Sequence, residues 1–250
     1  MNAPEFKAKY DRDGFVVVPQ FLPKSLLAEL LGQLDRYIRD VAPTLPDASA
    51  FYEDKQRPET LKQLQNMAID PFFDEYRRQP RWLSLAETML GEPGEAKEPE
   101  WFDKPPGTNH VTPPHQDNYY FCLTPPHVVT LWIALDRVDE ENGCLRYVRG
   151  SHLAGVRPHG RLKVLGFSQG ITDYGSADRE REVAIFLEPG DLVLHHGNTI
   201  HRADANRSAT RHRRAFAMVF QGSSCRRDEA AFQRYKAALE QQHQQLGLTV

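Results

Sequence analysis

His115 and Asp117 stand two residues apart in Pro114-His115-Gln116-Asp117-Asn118-Tyr119-Tyr120-Phe121. On an extended strand, side chains at i and i+2 share a face. An imidazole and a carboxylate then lean into one pocket, where neither is at home unless paired or bound to a metal. A third donor has to come from far away. His195, His196 and His201 follow the turn Pro189-Gly190-Asp191, and His152 and His159 lie in or beside a long glycine-containing stretch, 153–182. From Asp117 to His201 is 84 residues (201 − 117 = 84), far more than a local finger-type site spans. The fold must therefore return the chain to the same pocket, which a jelly roll does. His-x-Asp with a distant histidine is the ligand set of a facial triad, which holds a six-coordinate metal on one face and leaves three positions open. On an extended segment His196 faces inward and His195 outward, so spacing alone leaves His196 and His201 as equal candidates. Without the third donor, the pair serves equally well as a turn cap or an ordinary salt bridge.

The flanking chain fits such a fold. Phe15 to Val18 reads as a strand. Leu26, Leu27, Leu30, Leu31, Leu34, Tyr37, Ile38 and Val41 recur at helical spacing, predicting a helix over 24–41 behind Pro23. Leu61 to Met67 is a short strand or helix. Arg81 to Leu90 is helical and ends at Gly91. From Glu100 the texture becomes short β-prone runs between turns: 100–103, 115–123, 128–135, 144–148, 183–187, 191–195 and 214–220. Residues 153–182 read as a long functional loop, and Arg226 to Leu246 as a closing helix with Asp228 at its N-cap. The expected architecture is mainly β with flanking helices around a double-stranded β-helix (jelly-roll, cupin-like) core. It forms a single domain over 1–250: a helical part over about 1–98, the core over about 99–222 and a helix over about 226–246.

Composition narrows the partners. A net charge of −3 gives no polyanion-binding signature, so nucleic acid is not expected. No run approaches ~18 apolar residues, so no membrane span is expected. Met1 to Tyr10 lacks a signal-peptide core, and Cys122, Cys144 and Cys225 are odd in number and far apart. They read as reduced thiols of a cytoplasmic protein. The expected partner is a small molecule, and oligomeric state stays open. One arginine of Arg211-His212-Arg213-Arg214, turned inward opposite a metal, would form a two-pronged pair with the far end of a dicarboxylate cosubstrate. The alternative is a solvated basic hairpin.

His115-Gln116-Asp117, Trp132-Ile133-Ala134-Leu135, Glu141-Asn142-Gly143-Cys144-Leu145, Gly150-Ser151-His152, Pro189-Gly190-Asp191, and His201 followed by Asn206-Arg207-Ser208 and Arg213-Arg214-Ala215 together resemble the phytanoyl-CoA dioxygenase family. The opening Asp13-Gly14-Phe15-Val16-Val17 is similar to the family's start. The resemblance implies Fe(II) with 2-oxoglutarate and O2 as cosubstrates. It makes His115, Asp117 and His201 the iron ligands and sets His196 aside. It puts the 2-oxoglutarate arginine at Arg213, although the spacing from His201 (213 − 201 = 12) is one longer than the family's and keeps Arg214 and Arg211 open. Trp132 matches a tryptophan lining the cosubstrate pocket, and Gln63 falls where relatives place a polar cosubstrate contact. Ala203 stands where relatives often have a small hydroxyl residue. The implied reaction is hydroxylation of a small organic metabolite with release of succinate and CO2. Asp117 favours that outcome, since halogenating relatives lack this carboxylate. Tyr119, Tyr120, Phe102 and Lys104 are candidates for the substrate wall; Arg157, His159, Arg161 and Lys163 are candidates for attracting an anion. The competing class is a non-oxidative cupin-like metal protein or isomerase, which has no need of Arg213.

Overall fold

The structure is a computed structural model and describes residues 3–108, 110–164 and 167–246. Helix α1 (Ala3–Asp13) runs into β1 (Phe15–Val18), and α2 (Lys24–Asp40) follows. Gly14 makes the first joint. Its φ is +85°, and a Cβ there would come within 2.5 Å of Thr199 Oγ1, so only glycine fits. Next come β2 (Ala50–Tyr52), β3 (Leu61–Leu64), α3 (Pro71–Arg77), α4 (Pro80–Leu90), β4 (Gly94–Ala96) and β5 (Glu100–Phe102). Gly91 ends α4 in the left-handed region, as predicted. The central stretch holds β6 (Thr112–His115), α5 (Asp117–Phe121), β7 (Leu123–Thr124), β8 (Val128–Ala134) and β9 (Leu145–Val148). After it come β10 (His159–Val164), β11 (Phe167–Ile171), α6 (Ser176–Glu180), β12 (Glu182–Ile185), β13 (Leu192–His196), β14 (His201–Ala203), β15 (Ala215–Gly222), β16 (Arg226–Arg227) and α7 (Glu229–Leu246). Asp228 caps α7, accepting a 2.9 Å hydrogen bond from the Ala231 amide.

Two antiparallel sheets face each other. The eight-stranded one runs β1-β13-β8-β15-β5-β3-β2, with β4 added beside β15; the four-stranded one runs β12-β9-β14-β6. Strand alternation divides the core in two. Leu131, Ile133, Leu192, Leu194, Phe216 and Met218 point to the outer face of the large sheet and pack on Leu30, Leu34, Phe73, Trp82 and Met89 of the helices. Each fully buried large side chain there contributes about 1.5–3 kcal/mol. Trp132, Val193, Ala215 and Ala217 point the other way and meet Leu145, Tyr147, Ile185 and Ala203 of the small sheet. The stretch before residue 99 is thus not only helical: β1 to β4 all join the large sheet.

Two expectations need correction. The predicted strand 115–123 stops at His115, and α5 begins at Asp117. Tertiary contacts override the β propensity of Tyr119-Tyr120-Phe121 here. The Asn118 amide donates to the Gly197 carbonyl (2.8 Å), and the Asn118 side chain donates to the Leu123 carbonyl (3.1 Å), closing the turn. The predicted loop 153–182 is mostly ordered structure, the hairpin β10–β11 and then α6. Glycines at 160 and 170 sit opposite each other in that hairpin and blur the alternation that would reveal it.

Candidate metal centre and its anion pocket

Strand β14 lies between β9 and β6 and faces His201 with His115 on one side and Tyr147 on the other. That register brings the 84-residue separation to a single pocket. Gln116 stays extended (φ −129°, ψ 127°) before α5 starts, so His115 and Asp117 still converge although only His115 is on the strand. One ligand atom from each of His115, Asp117 and His201 lies within 4.8 Å of the others. Asp117 Oδ1 is 3.6 Å from His115 Nε2 and 3.5 Å from His201 Nε2. Both histidines are oriented by backbone carbonyls: His115 Nδ1 donates to Pro113 O (2.8 Å) and His201 Nδ1 to Thr199 O (3.0 Å). With the proton fixed on Nδ1, each Nε2 lone pair faces the pocket, the tautomer that a metal-binding histidine needs.

The electrostatics agree. Burial pushes both imidazoles down, His201 to about 3, so they are neutral. Burial alone would raise the Asp117 carboxyl, but its histidine surroundings, with the hydrogen bond from the His195 N–H, hold it below the usual carboxylate range. A buried anion beside neutral imidazoles, with no lysine or arginine paired to it among the described residues, is a donor set that fits a divalent cation.

The other candidate histidines are elsewhere. His196 lies beside Tyr10 and His152 (ring centroids 6.2 and 5.4 Å). His152 Nε2 bonds the Asp11 carbonyl, and His159 stacks on Tyr119 at 4.0 Å. The inward histidine of β13 is His195, the reverse of the expectation. Leu192 and Leu194 are needed on the helical side, which phases Val193 and His195 inward. His195 Nε2 then donates to Asp117 Oδ2 (3.0 Å). Nothing in Leu192-Val193-Leu194-His195-His196 reveals this, because both faces of the strand are apolar and buried.

The three arginines separate clearly. Arg211 pairs with Asp139 and Glu141, and Arg214 forms a two-pronged pair with Asp136. Arg213 is buried, its guanidinium lies 5.6 Å from the Trp132 ring centroid, and its Nε has no hydrogen-bond partner. Desolvation lowers it to about 10. It lines a cleft with Gln63, Phe102, Lys104 and Thr112. Thr112 is on β6, three residues before His115, and pairs across to Ala203. Gln63 donates to Glu100 Oε2 (3.3 Å). The Lys104 ammonium donates to the His110 carbonyl (2.7 Å), and burial, then Arg213, holds it well below its ordinary value. Tyr120 stands edge-on to His115 at 6.0 Å, and the hydroxyls of Tyr119 and Tyr120 both reach Gln169 of β11, so the hairpin is fastened over the metal side. Arg157 is committed to Asp173 and Asp178, Arg161 is exposed, and the Lys163 side chain lies outside the described residues.

A facial donor triad between the two sheets of a double-stranded β-helix, with a buried arginine beside it, defines the class of iron- and 2-oxoglutarate-dependent oxygenases. Comparison with known proteins agrees. The phytanoyl-CoA dioxygenase (PhyH) family profile matches residues 10–215, and the chain belongs to that family. A probable phytanoyl-CoA dioxygenase of Caenorhabditis elegans is 30% identical over 167 residues, covering 62% of this chain and 53% of that one. The peroxisomal phytanoyl-CoA dioxygenase of Homo sapiens is 26% identical over 230 residues, covering 86% and 67%. The crystal structure of EvdO2 from Micromonospora carbonacea var. aurantiaca, complexed with 2-oxoglutarate, superposes with a TM-score of 0.68 at 26% identity, covering 88% of this chain and 90% of that one. The chain thus spans about half to two thirds of the length of these two relatives. No helix among the described residues is long and apolar enough to cross a membrane.

Proposed function

We propose that this chain is an Fe(II)- and 2-oxoglutarate-dependent hydroxylase of a small organic metabolite, releasing succinate and CO2 and working as one catalytic domain. The observation that carries the proposal is Arg213: a buried guanidinium with an unpartnered Nε, in a cleft that ends on the strand bearing His115. A buried guanidinium that no carboxylate hydrogen-bonds is costly to keep charged, and a ligand carboxylate offsets that cost.

When bound by His115, Asp117 and His201, iron supplies the O2 activation that couples 2-oxoglutarate decarboxylation to substrate oxidation. The protein supplies the rest. His115 and His201 present neutral Nε2 atoms, and Asp117 contributes one negative charge. Arg213 takes the far carboxylate of 2-oxoglutarate, and the Trp132 ring backs its guanidinium. Gln63 offers an amide at the rim of the cleft. Thr112 offers a hydroxyl directly across the register from Ala203, which has none. Tyr120, edge-on to His115, lines the approach on the substrate side, and Phe102 walls the Arg213 cleft. The buried free thiols of Cys122, Cys144 and Cys225 suit a reducing compartment such as the cytoplasm.

A non-oxidative metal protein or isomerase would have no use for a buried Arg213. The deciding measurement is succinate formation from 2-oxoglutarate. We expect it to require iron and O2 and to fall below detection in His115→Ala. Failure of the iron-loaded protein to bind 2-oxoglutarate would sink the proposal.

A further inference from the structure

Asp117 has two carboxylate oxygens in different surroundings. Oδ1 faces both ligand histidines, 3.6 Å from His115 Nε2 and 3.5 Å from His201 Nε2. Oδ2 faces away and accepts two hydrogen bonds, from the Thr130 hydroxyl (2.9 Å) and from His195 Nε2 (3.0 Å). His195 is itself held, because its Nδ1 lies 2.9 Å from the Tyr147 hydroxyl. Both side chains are almost fully buried, His195 at 2% exposure and Tyr147 at 0%. The Asp117 carboxylate can only accept, so Nε2 carries the imidazole proton and points it at Asp117, and Nδ1 accepts from the Tyr147 hydroxyl. The Tyr147 ring also lies nearly parallel to His201 (centroids 5.5 Å, 26°) and stacks on Phe15 (4.7 Å, 18°). One buried tyrosine thus braces two of the three ligands, His201 directly and Asp117 through His195.

We infer that His195, set by Tyr147, is a positioning residue that holds Asp117 by Oδ2 so that only Oδ1 is offered to the metal. The consequence is functional. A carboxylate free to swing could offer both oxygens and occupy a position that 2-oxoglutarate or O2 needs. With Oδ2 occupied by Thr130 and His195, Asp117 contributes one donor and the remaining face stays open. The same contacts reduce the freedom that Asp117 would lose on binding, which raises affinity. The inference rests on His115, Asp117 and His201 being metal ligands.

The test is titration of the metal-free full chain with Co(II), followed by the visible charge-transfer absorption of the anaerobic Fe(II)–2-oxoglutarate complex. His195→Phe fills the space but removes the donor. His195→Gln keeps an N–H where Nε2 was. Tyr147→Phe removes one oxygen atom and leaves the packing. We expect His195→Phe to lose 10- to 100-fold in Co(II) affinity, the range seen when partners of metal ligands are removed, and to shift the absorption band. We expect His195→Gln to return within about threefold of wild type and Tyr147→Phe to fall about fivefold between them. A folded His195→Phe protein that binds Co(II) like wild type and keeps the band unchanged overturns the inference. Should His195→Phe fail to fold, Tyr147→Phe decides: unchanged affinity overturns the inference, and a fivefold or greater loss supports it. A wild-type chain that does not bind Co(II) would instead overturn the metal centre itself, so the two failures are distinguishable.

Discussion

The two ends of the site are finished differently. At the metal end, the polar atoms that turn away from the pocket are engaged. Nδ1 of His115 and of His201 meet carbonyls, and Asp117 Oδ2 meets Thr130 and His195. At the anion end, Arg213 is buried with its Nε unpartnered, while Arg211 and Arg214 on either side are paired to carboxylates. Hydrogen bonds preset the metal end before anything binds. The anion end instead keeps a guanidinium Nε that nothing in the protein hydrogen-bonds, an opening for a ligand carboxylate. Prearranged ligands lower the ordering cost of binding, whereas an unpaired buried cation discriminates by leaving a penalty with any ligand that lacks the anion.

The sharpest way to break this contrast is Arg213→Met. Truncating one partner of a buried, hydrogen-bonded charge pair costs roughly 2–5 kcal/mol, so 2-oxoglutarate affinity should drop by about 100-fold or more in a binding titration. The metal-free protein should melt at the same temperature as wild type or higher, because an uncompensated buried charge has been replaced by an apolar chain of similar length. Lower stability together with unchanged 2-oxoglutarate affinity would mean that Arg213 is a structural cation and that the two ends do not differ as described.

Glu100 lies between the two ends and tests whether they feel each other. It pairs in register with Ala217, which pairs in turn with Trp132, and it accepts a hydrogen bond from Gln63 of the cleft. Burial raises its carboxyl to about 7, and the negative charge of Asp117 adds to the rise. The folded state therefore keeps this proton at pH values where the unfolded chain, near 4.5, has lost it. The resulting stability is fully present below pH ~4.5 and is lost as pH rises through about 7. Glu100→Gln should match wild type near pH 4.5 and exceed it at pH 8 by about 2 kcal/mol, discounted from the full shift because the side chain is partly accessible. Denaturant melts at the two pH values check this. Equal stability of the two proteins at pH 8 would show that Glu100 is solvated and senses neither end.

Much of this arrangement was legible in the chain, and the parts that were not share a cause. Lone signals with one meaning survived: the stripe on α2, the Gly91 stop and the strands after residue 125. Where two neighbours are chemically alike, sequence could not choose. His195 and His196 are adjacent on a strand buried on both sides, so alternation gives no phase, and the packing of Leu192 and Leu194 on the helices decides. Arg211, Arg213 and Arg214 differ only in which carboxylates the fold brings near, Asp139 and Glu141 to one and Asp136 to another. The family resemblance could assign Arg213 a role, but only the placement of those acids leaves it as the arginine that no carboxylate hydrogen-bonds. The turn at α5 was hidden for a related reason, since it is closed by Gly197, 79 residues after Asn118 (197 − 118 = 79).

Arg211 provides the smallest and most discriminating check. It sits two residues from Arg213 and makes better hydrogen bonds, with Nη1 and Nη2 on Asp139 (3.0 and 2.8 Å) and a further contact to Glu141. By its hydrogen bonds it looks more important than Arg213. Yet its side chain is one-third exposed and Glu141 more than half, so water and salt screen the pairs. Exposed ion pairs of this kind contribute about 0.2–1 kcal/mol. Arg211→Ala should therefore lower stability by no more than about 1 kcal/mol, by less still in high salt, and leave 2-oxoglutarate affinity where it was. A fall in affinity approaching that of Arg213→Met would show that the anion is held by the whole basic hairpin, and the distinction between a paired surface arginine and an unpaired buried one would no longer explain the site.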